Sequence, residues 1–344
     1  MKNTILFIII LFTFTACEKT LLPEAEENTI LNNFDYFWQD YSDHYANFRV
    51  KNVDWQAQYD LYRPQLDENS SEADLYRVIA EMMDGLNDGH VSIFTGDASL
   101  PFFESGPAFK LSQQGLEDFI NIEVVKSYLE VEIAAIQDDE IIHGLLSDNI
   151  GYIYIGTMYD NLAFWEEVMD GIMKDLEATK AIIIDLRNNG GGEDEAGRLI
   201  ASYFTDAEAP YMKVRYKNGP NPNDFEAVRV WSIAPSKGTP YTNPIVMLTD
   251  RYTISAGETF GLALKTLPQI IHVGDTTNAA FSDTIERELP NRWQYRIPVS
   301  EVTDQNDVSW EGIGLIPDMV IRNDVTELQN GIDRMLEQAI EVLK

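Results

Sequence analysis

The chain is short of cysteine, of positive charge and of histidine, and each shortage closes off some chemistry. Of 344 residues one is a cysteine, Cys17. A single thiol excludes an intramolecular disulfide framework, and the body of the chain has no thiolate for catalysis or for zinc. Lys plus Arg number 25 against 57 Asp plus Glu, a formal net charge of −32. Such a chain repels the phosphates that dominate nucleic-acid affinity, so DNA and RNA are excluded as partners. The four histidines, His44, His90, His143 and His272, show no paired metal-ligand spacing. No metal site and no cofactor are therefore expected. The sequence also lacks internal repeats and low-complexity segments.

What is present is a globular composition, 44% apolar with 11% aromatics, in a chain long enough for one large domain or two modest ones. At the N-terminus Lys2 precedes an apolar run from Ile5 through Phe14, followed by small residues. The run is too short for a stable spanning helix and reads as an export signal. Phe14-Thr15-Ala16-Cys17 resembles the lipobox of bacterial lipoproteins. That resemblance implies a signal peptide over 1–17, lipidation of Cys17, a tether over 18–28, and an exported protein anchored through lipid to the bacterial cell envelope.

Hydrophobic spacing predicts helices over 29–48, from Asp54 to Pro64, and from Ser70-Ser71-Glu72 to Leu86, which together make an N-terminal helical region, 29–90. Short runs then read as strands in a β-rich connecting region, 91–150: Phe119 to Val125, Tyr128 to Ile136 and Ile150 to Ile155. From 151 to 344 the pattern alternates. Helices are expected at Leu162 to Leu176, Glu195 to Phe204, Ala256 to Leu267 and Val325 to Leu343, with strands at Ala181 to Leu186 and Ile245 to Leu248. Alternation of this kind implies an α/β fold with a mixed, largely parallel sheet and flanking helices.

Four segments carry candidate chemistry. In Asp185-Leu186-Arg187-Asn188-Asn189-Gly190-Gly191-Gly192 a buried strand runs into three glycines before a helix, so that backbone N–H groups can converge on an anion. The Walker lysine and the dinucleotide glycine spacing are both absent, which favours an oxyanion hole over a phosphate site. In Thr253-Ile254-Ser255-Ala256-Gly257-Glu258 a serine stands at a helix start, where a hydroxyl meets the positive end of the helix dipole. The same serine with Glu258 three residues on makes a capping box, and cap and nucleophile are compatible roles. Asp88-Gly89-His90 offers an imidazole, the usual base for a serine hydroxyl. In Trp310-Glu311-Gly312-Ile313-Gly314, Glu311 is a carboxylate able to orient a histidine, or one solvated acid among 57.

The ordered set of these segments resembles the C-terminal processing peptidases and the tricorn protease core, over nearly the whole mature chain. The resemblance implies a ClpP/crotonase-like core and a serine peptidase acting on peptide or protein substrates. It casts Ser255 as nucleophile, His90 as base and Glu311 as the acid behind it, with oxyanion donors from Gly190 or Gly191 and from Ala256. The lysine that many processing peptidases carry some two dozen residues after the serine is missing, since that region reads Thr276-Thr277-Asn278-Ala279-Ala280-Phe281. The histidine-containing, tricorn-like subgroup is the better match. Two departures accompany it. About 60 residues between His90 and Gly151 are too few for the usual PDZ module, and Gly89 stands where the tricorn type has a serine, leaving Ser92 as the nearest substitute. Two rival readings remain open: a non-catalytic ligand-binding module, since the same core resembles the repeats of interphotoreceptor retinoid-binding protein, and an esterase of small substrates. Oligomeric state is left open.

Overall fold

Aliphatic runs build the centre of the molecule. Strands Ile150–Ile155, Ala181–Asp185 and Ile245–Thr249 are buried along their whole length, as strands covered on both faces must be. In the computed structural model, which describes residues 27–115 and 120–344, they lie together in a seven-stranded sheet. Its order is Met319–Val320, Ile270–Gly274, Ile245–Thr249, Ala181–Asp185, Ile150–Ile155, Ile141–Leu146, Val131–Ile136. The first five run parallel and the last two antiparallel to their neighbours. The mixed, largely parallel sheet expected from the alternation is therefore what forms.

Successive residues of each strand serve opposite faces. Ile182 and Ile184 pack with Trp165, Ile200 and Phe260 of helices Leu162–Leu176, Asp194–Ala201 and Ala256–Lys265. Ile183, Val246 and Leu248 turn the other way, against Val125 and against Met335 and Leu336 of helix Arg334–Val342. A second core gathers Phe34, Phe37, Tyr41, Trp55, Leu75 and Ile79 of helices Ile30–His44, Trp55–Tyr62 and Glu72–Asp84. These helices pack on a four-stranded antiparallel sheet in the order Thr284–Glu288, Gln294–Pro298, Ser92–Phe94, Phe103–Glu104. A hairpin from late in the chain thus completes the N-terminal layer. A third sheet holds Ser300–Asp304, Ala209–Tyr216 and Arg229–Ile233.

Three expectations need correction. The β-branched run ending at Val125 is helical over Ile122–Tyr128, because Asn121 Oδ1 accepts the N–H groups of Glu123 and Val124 and starts a helix there; Phe119 lies outside the described residues. The long final helix is two, Val325–Gln329 and Arg334–Val342. Gly331 at φ 82 ends the first and Asp333 caps the second, accepting from Leu336 N–H at 3.0 Å. The segment 91–150 also holds helices Pro107–Ser112 and Ile122–Tyr128, and its strands divide between two sheets. Among the described residues no helix is long and apolar enough to cross a membrane. The signal segment and Cys17 lie outside the described residues.

Candidate active site

The carboxyl ends of the parallel strands present the loops that matter, as open α/β sheets do. Strand Ile245–Thr249 leads through Asp250 to Ile254 into helix Ala256–Lys265, and half-buried Ser255 stands at the joint. Its backbone has φ 59 and ψ −125, a conformation that costs a non-glycine residue on the order of 1–3 kcal/mol. Surrounding bonds hold it there. Ser255 N–H donates to Ala280 O at 3.1 Å and to Glu258 Oε2 at 3.3 Å, while Ser255 O accepts from Glu258 and Thr259 at 2.8 and 3.0 Å. Glu258 closes its half of the capping box through Ser255 N–H, while the Ser255 hydroxyl makes no cap hydrogen bond.

The glycine loop packs directly on this serine. A Cβ on Gly191 would lie 2.6 Å from Ser255 Cβ and 3.2 Å from its Oγ, and Gly191 has φ +86. Only glycine satisfies both conditions. The amides expected to face an oxyanion are engaged, however. Gly190 N–H donates to Gly156 O at 3.0 Å and Gly191 N–H to Asn189 Oδ1 at 2.9 Å. Among the described residues, the Ala256 and Gly192 N–H groups make no hydrogen bond to the protein.

His90 arrives on a turn that Asp88 builds, its Oδ1 accepting from His90 N–H at 3.0 Å and its Oδ2 from the Tyr45 hydroxyl at 2.7 Å. The turn abuts the elbow: a Cβ on Gly89 would meet Asn278 Oδ1 at 2.3 Å and Ile254 Cδ1 at 3.0 Å. A serine at that position would have to displace the Asn278 side chain. Burial pushes the imidazole down to about 4, so at neutral pH it is neutral, and a weaker base than a free imidazole. Its Nδ1 is buried without a hydrogen-bond partner. Ser92 opens the adjacent strand, opposite Arg296 and Glu104.

Glu311 is buried too. Its Oε2 accepts from Phe281 N–H at 2.9 Å and its Oε1 lies 3.2 Å from Lys51 Nζ. Burial and the neighbouring Asp88 push its carboxyl up to about 8, against the pull of Lys51. No hydrogen bond joins Ser255 to His90 or His90 to Glu311 among the described residues. Ser255, Glu311 and the residue before His90 abut one segment instead, Thr277 to Phe281: Ser255 N–H on Ala280 O, Gly89 against Asn278, and Glu311 on Phe281 N–H.

Sequence reasoning missed this platform and what secures it. Glu258, wholly buried, accepts from the N–H groups of Ala279 and Ala280 at 2.8 and 2.9 Å and from the Thr277 hydroxyl. That clamp holds Ala279 at φ 81. Lys51 was missed as well, because a lysine in the polar turn Arg49-Val50-Lys51-Asn52 carries no signal that it is buried.

These features can be set beside known proteins. The model of peptidase family S41 matches residues 149–321, half of the chain. The chain belongs to peptidase family S41. The Tricorn protease C1 domain matches residues 26–84, which include Lys51. This S41 chain is 23% identical over 188 residues to the carboxy-terminal processing protease CtpB of Bacillus subtilis (strain 168), covering 54% of itself and 35% of CtpB. It is 29% identical over 150 residues to the carboxy-terminal processing protease CtpA of the same strain, covering 43% of itself and 30% of CtpA. The chain thus matches about a third of the length of these curated relatives. A crystal structure of a candidate peptidase from Parabacteroides merdae ATCC 43184 superposes with TM-score 0.80 at 26% identity, over 92% of this S41 chain and 97% of that one. The family reached from the ordered motifs is the family found.

Proposed function

We propose that this S41 chain hydrolyses peptide bonds with Ser255 as nucleophile and His90 as general base. The observation that carries the reading is the strained Ser255 elbow at a helix start, with Gly191 packed against its hydroxyl. In this reading His90 takes the hydroxyl proton as Ser255 attacks the carbonyl and passes it to the amine as the C–N bond breaks, and water, deprotonated by His90, then releases the acyl group as the acid. The negative charge forming on oxygen is met by the Ala256 N–H and by a glycine-loop amide, for which the oxyanion competes with the internal acceptors of Gly190 and Gly191. Asp88 supplies negative charge beside the imidazole, and Glu311, whose carboxyl burial pushes up to about 8, adds to it as it ionises.

The test is a fluorophosphonate probe, which phosphonylates an activated serine hydroxyl with loss of fluoride. Wild-type protein should be labelled at pH 7 to 8, and Ser255→Ala and His90→Ala should not. Labelling that survives Ser255→Ala would place the nucleophile elsewhere. The engaged glycine amides favour a second reading, a ligand-binding module on the same fold, for which the wild type stays unlabelled.

The lipobox-like Phe14-Thr15-Ala16-Cys17 supports a further part of the proposal, export and lipid attachment at Cys17 to the cell envelope. Cys17→Ala should then release the protein from the membrane fraction.

A further inference from the structure

Asp88 and Glu311 are both buried, at 0% and 4% exposure; Asp88 stands on the turn of the candidate base, and both lie within 4 Å of Lys51 Nζ. Two carboxylates sharing a buried site repel, so one takes up a proton unless a cation intervenes. The cation is Lys51. Its side chain is only 6% exposed, with Nζ 3.2 Å from Glu311 Oε1, 3.7 Å from Asp88 Oδ2 and 3.2 Å from Asn87 O. A lysine so buried, with every recorded partner on the Asp88 turn or on Glu311, is not a solubilising residue.

We infer that Lys51 is a positioning residue of the active site, supplied by the N-terminal helical region, which ties the His90 turn to Glu311 and favours the carboxylate form of Glu311. The inference rests on the proposed roles of Ser255, His90 and Glu311. Other groups face the cluster without replacing Lys51. The Tyr45 hydroxyl donates to Asp88, and Glu258 acts on Glu311 as a more distant negative charge. Arg49 is paired with Glu301, and Glu301 and Asp307 line the same cavity of about 660 Å³ as Lys51 and Glu311. Arg296, which pairs with Glu286, and Lys51 itself both act on His90 as positive charges that lower it, so Lys51→Met relieves His90 while it raises Glu311. The only ammonium or guanidinium within ion-pair distance of Glu311 among the described residues is that of Lys51. Glu311 already titrates near 8 with Lys51 in place, and loss of the cation drives it higher.

The experiment compares wild type, Lys51→Met, Lys51→Arg, Glu311→Gln and Lys51→Met with Glu311→Gln, by the rate of fluorophosphonate labelling from pH 6 to 10. Lys51→Met should label about 10²-fold more slowly at pH 7, within the span of lost acid–base assistance. Its profile should shift to more alkaline pH, and Lys51→Arg should restore most of the rate. Adding Lys51→Met to Glu311→Gln should slow labelling no further, because Lys51 acts through Glu311. A wild-type rate and profile in Lys51→Met would overturn the inference. So would a loss equal at every pH that arginine does not rescue, which marks a merely structural lysine. Infrared titration of the Glu311 carboxyl, assigned with Glu311→Gln, separates the two proposals. Its midpoint should move up in Lys51→Met even if the wild type proves unreactive to the probe, an outcome that sinks the peptidase reading and keeps the Lys51 tie. An unmoved midpoint overturns the tie.

Discussion

Glu258 shows what burial does to single residues in this protein. It makes four hydrogen bonds as an acceptor, yet loss of water pushes its carboxyl up to about 7. Burial likewise pushes Asp194 up to about 7 and Glu311 up to about 8. A carboxyl raised above its unfolded value contributes stability that is fully present at low pH and is lost as pH climbs through the folded value. The buried imidazoles run the other way. His90 and His272, pushed down to about 4 and about 3 by burial, contribute stability above their unfolded value near 6.5 and lose it as pH falls. Between about pH 6.5 and 8 the three carboxyls ionise in the folded chain and outweigh the remaining titration of the unfolded histidines, so the folded chain should lose on the order of 2 kcal/mol across that window. Thermal melts of the soluble chain at steps of pH check this. A melting temperature that is flat or rising from pH 6.5 to 8 would contradict it.

At the scale of elements, what was legible in the sequence depended on how locally each structure is determined. Leu162–Leu176 and Ala181–Asp185 have periodicities strong enough to be read within a residue of their ends. The helix Ile122–Tyr128 was hidden because its apolar residues are β-branched, and a single asparagine cap decides the outcome. Ser255, His90 and Glu311 could be named from ordered motifs. Their common platform, Thr277 to Phe281, could not, because it is held by its own N–H groups donating to Glu258 and by Ser255 N–H donating to it, which no spacing announces. Asp185-Leu186-Arg187 was noticed as part of a motif, and the structure shows its physical task. Arg187 is wholly buried, bonded through Nε and Nη2 to Asp185 and through Nη1 to both oxygens of Asp333, the cap of the last helix. It fastens helix Arg334–Val342 to the sheet. Arg187→Met strands two buried carboxylates and should cost about 3–5 kcal/mol. Urea denaturation measures it, and a loss below about 1 kcal/mol would show that the network does not hold the helix.

The whole molecule joins two layers that the chain visits out of order. The N-terminal helices and the late hairpin Thr284–Pro298 share one core, so Lys51 and Glu311 meet although 260 residues separate them in sequence. With a formal charge of −32 the body repels an anionic bilayer surface, so firm membrane association requires the proposed lipid on Cys17. Cell fractionation should find the natural chain with membranes and Cys17→Ala in the soluble fraction. Equal partition of the two would remove the anchor from the account. The central claim is that this assembly activates one serine. Mass mapping of the fluorophosphonate adduct on the intact folded chain tests it most directly. The account predicts a single adduct on Ser255, absent in Ser255→Ala. An unlabelled wild type, or an adduct on another residue, would contradict it.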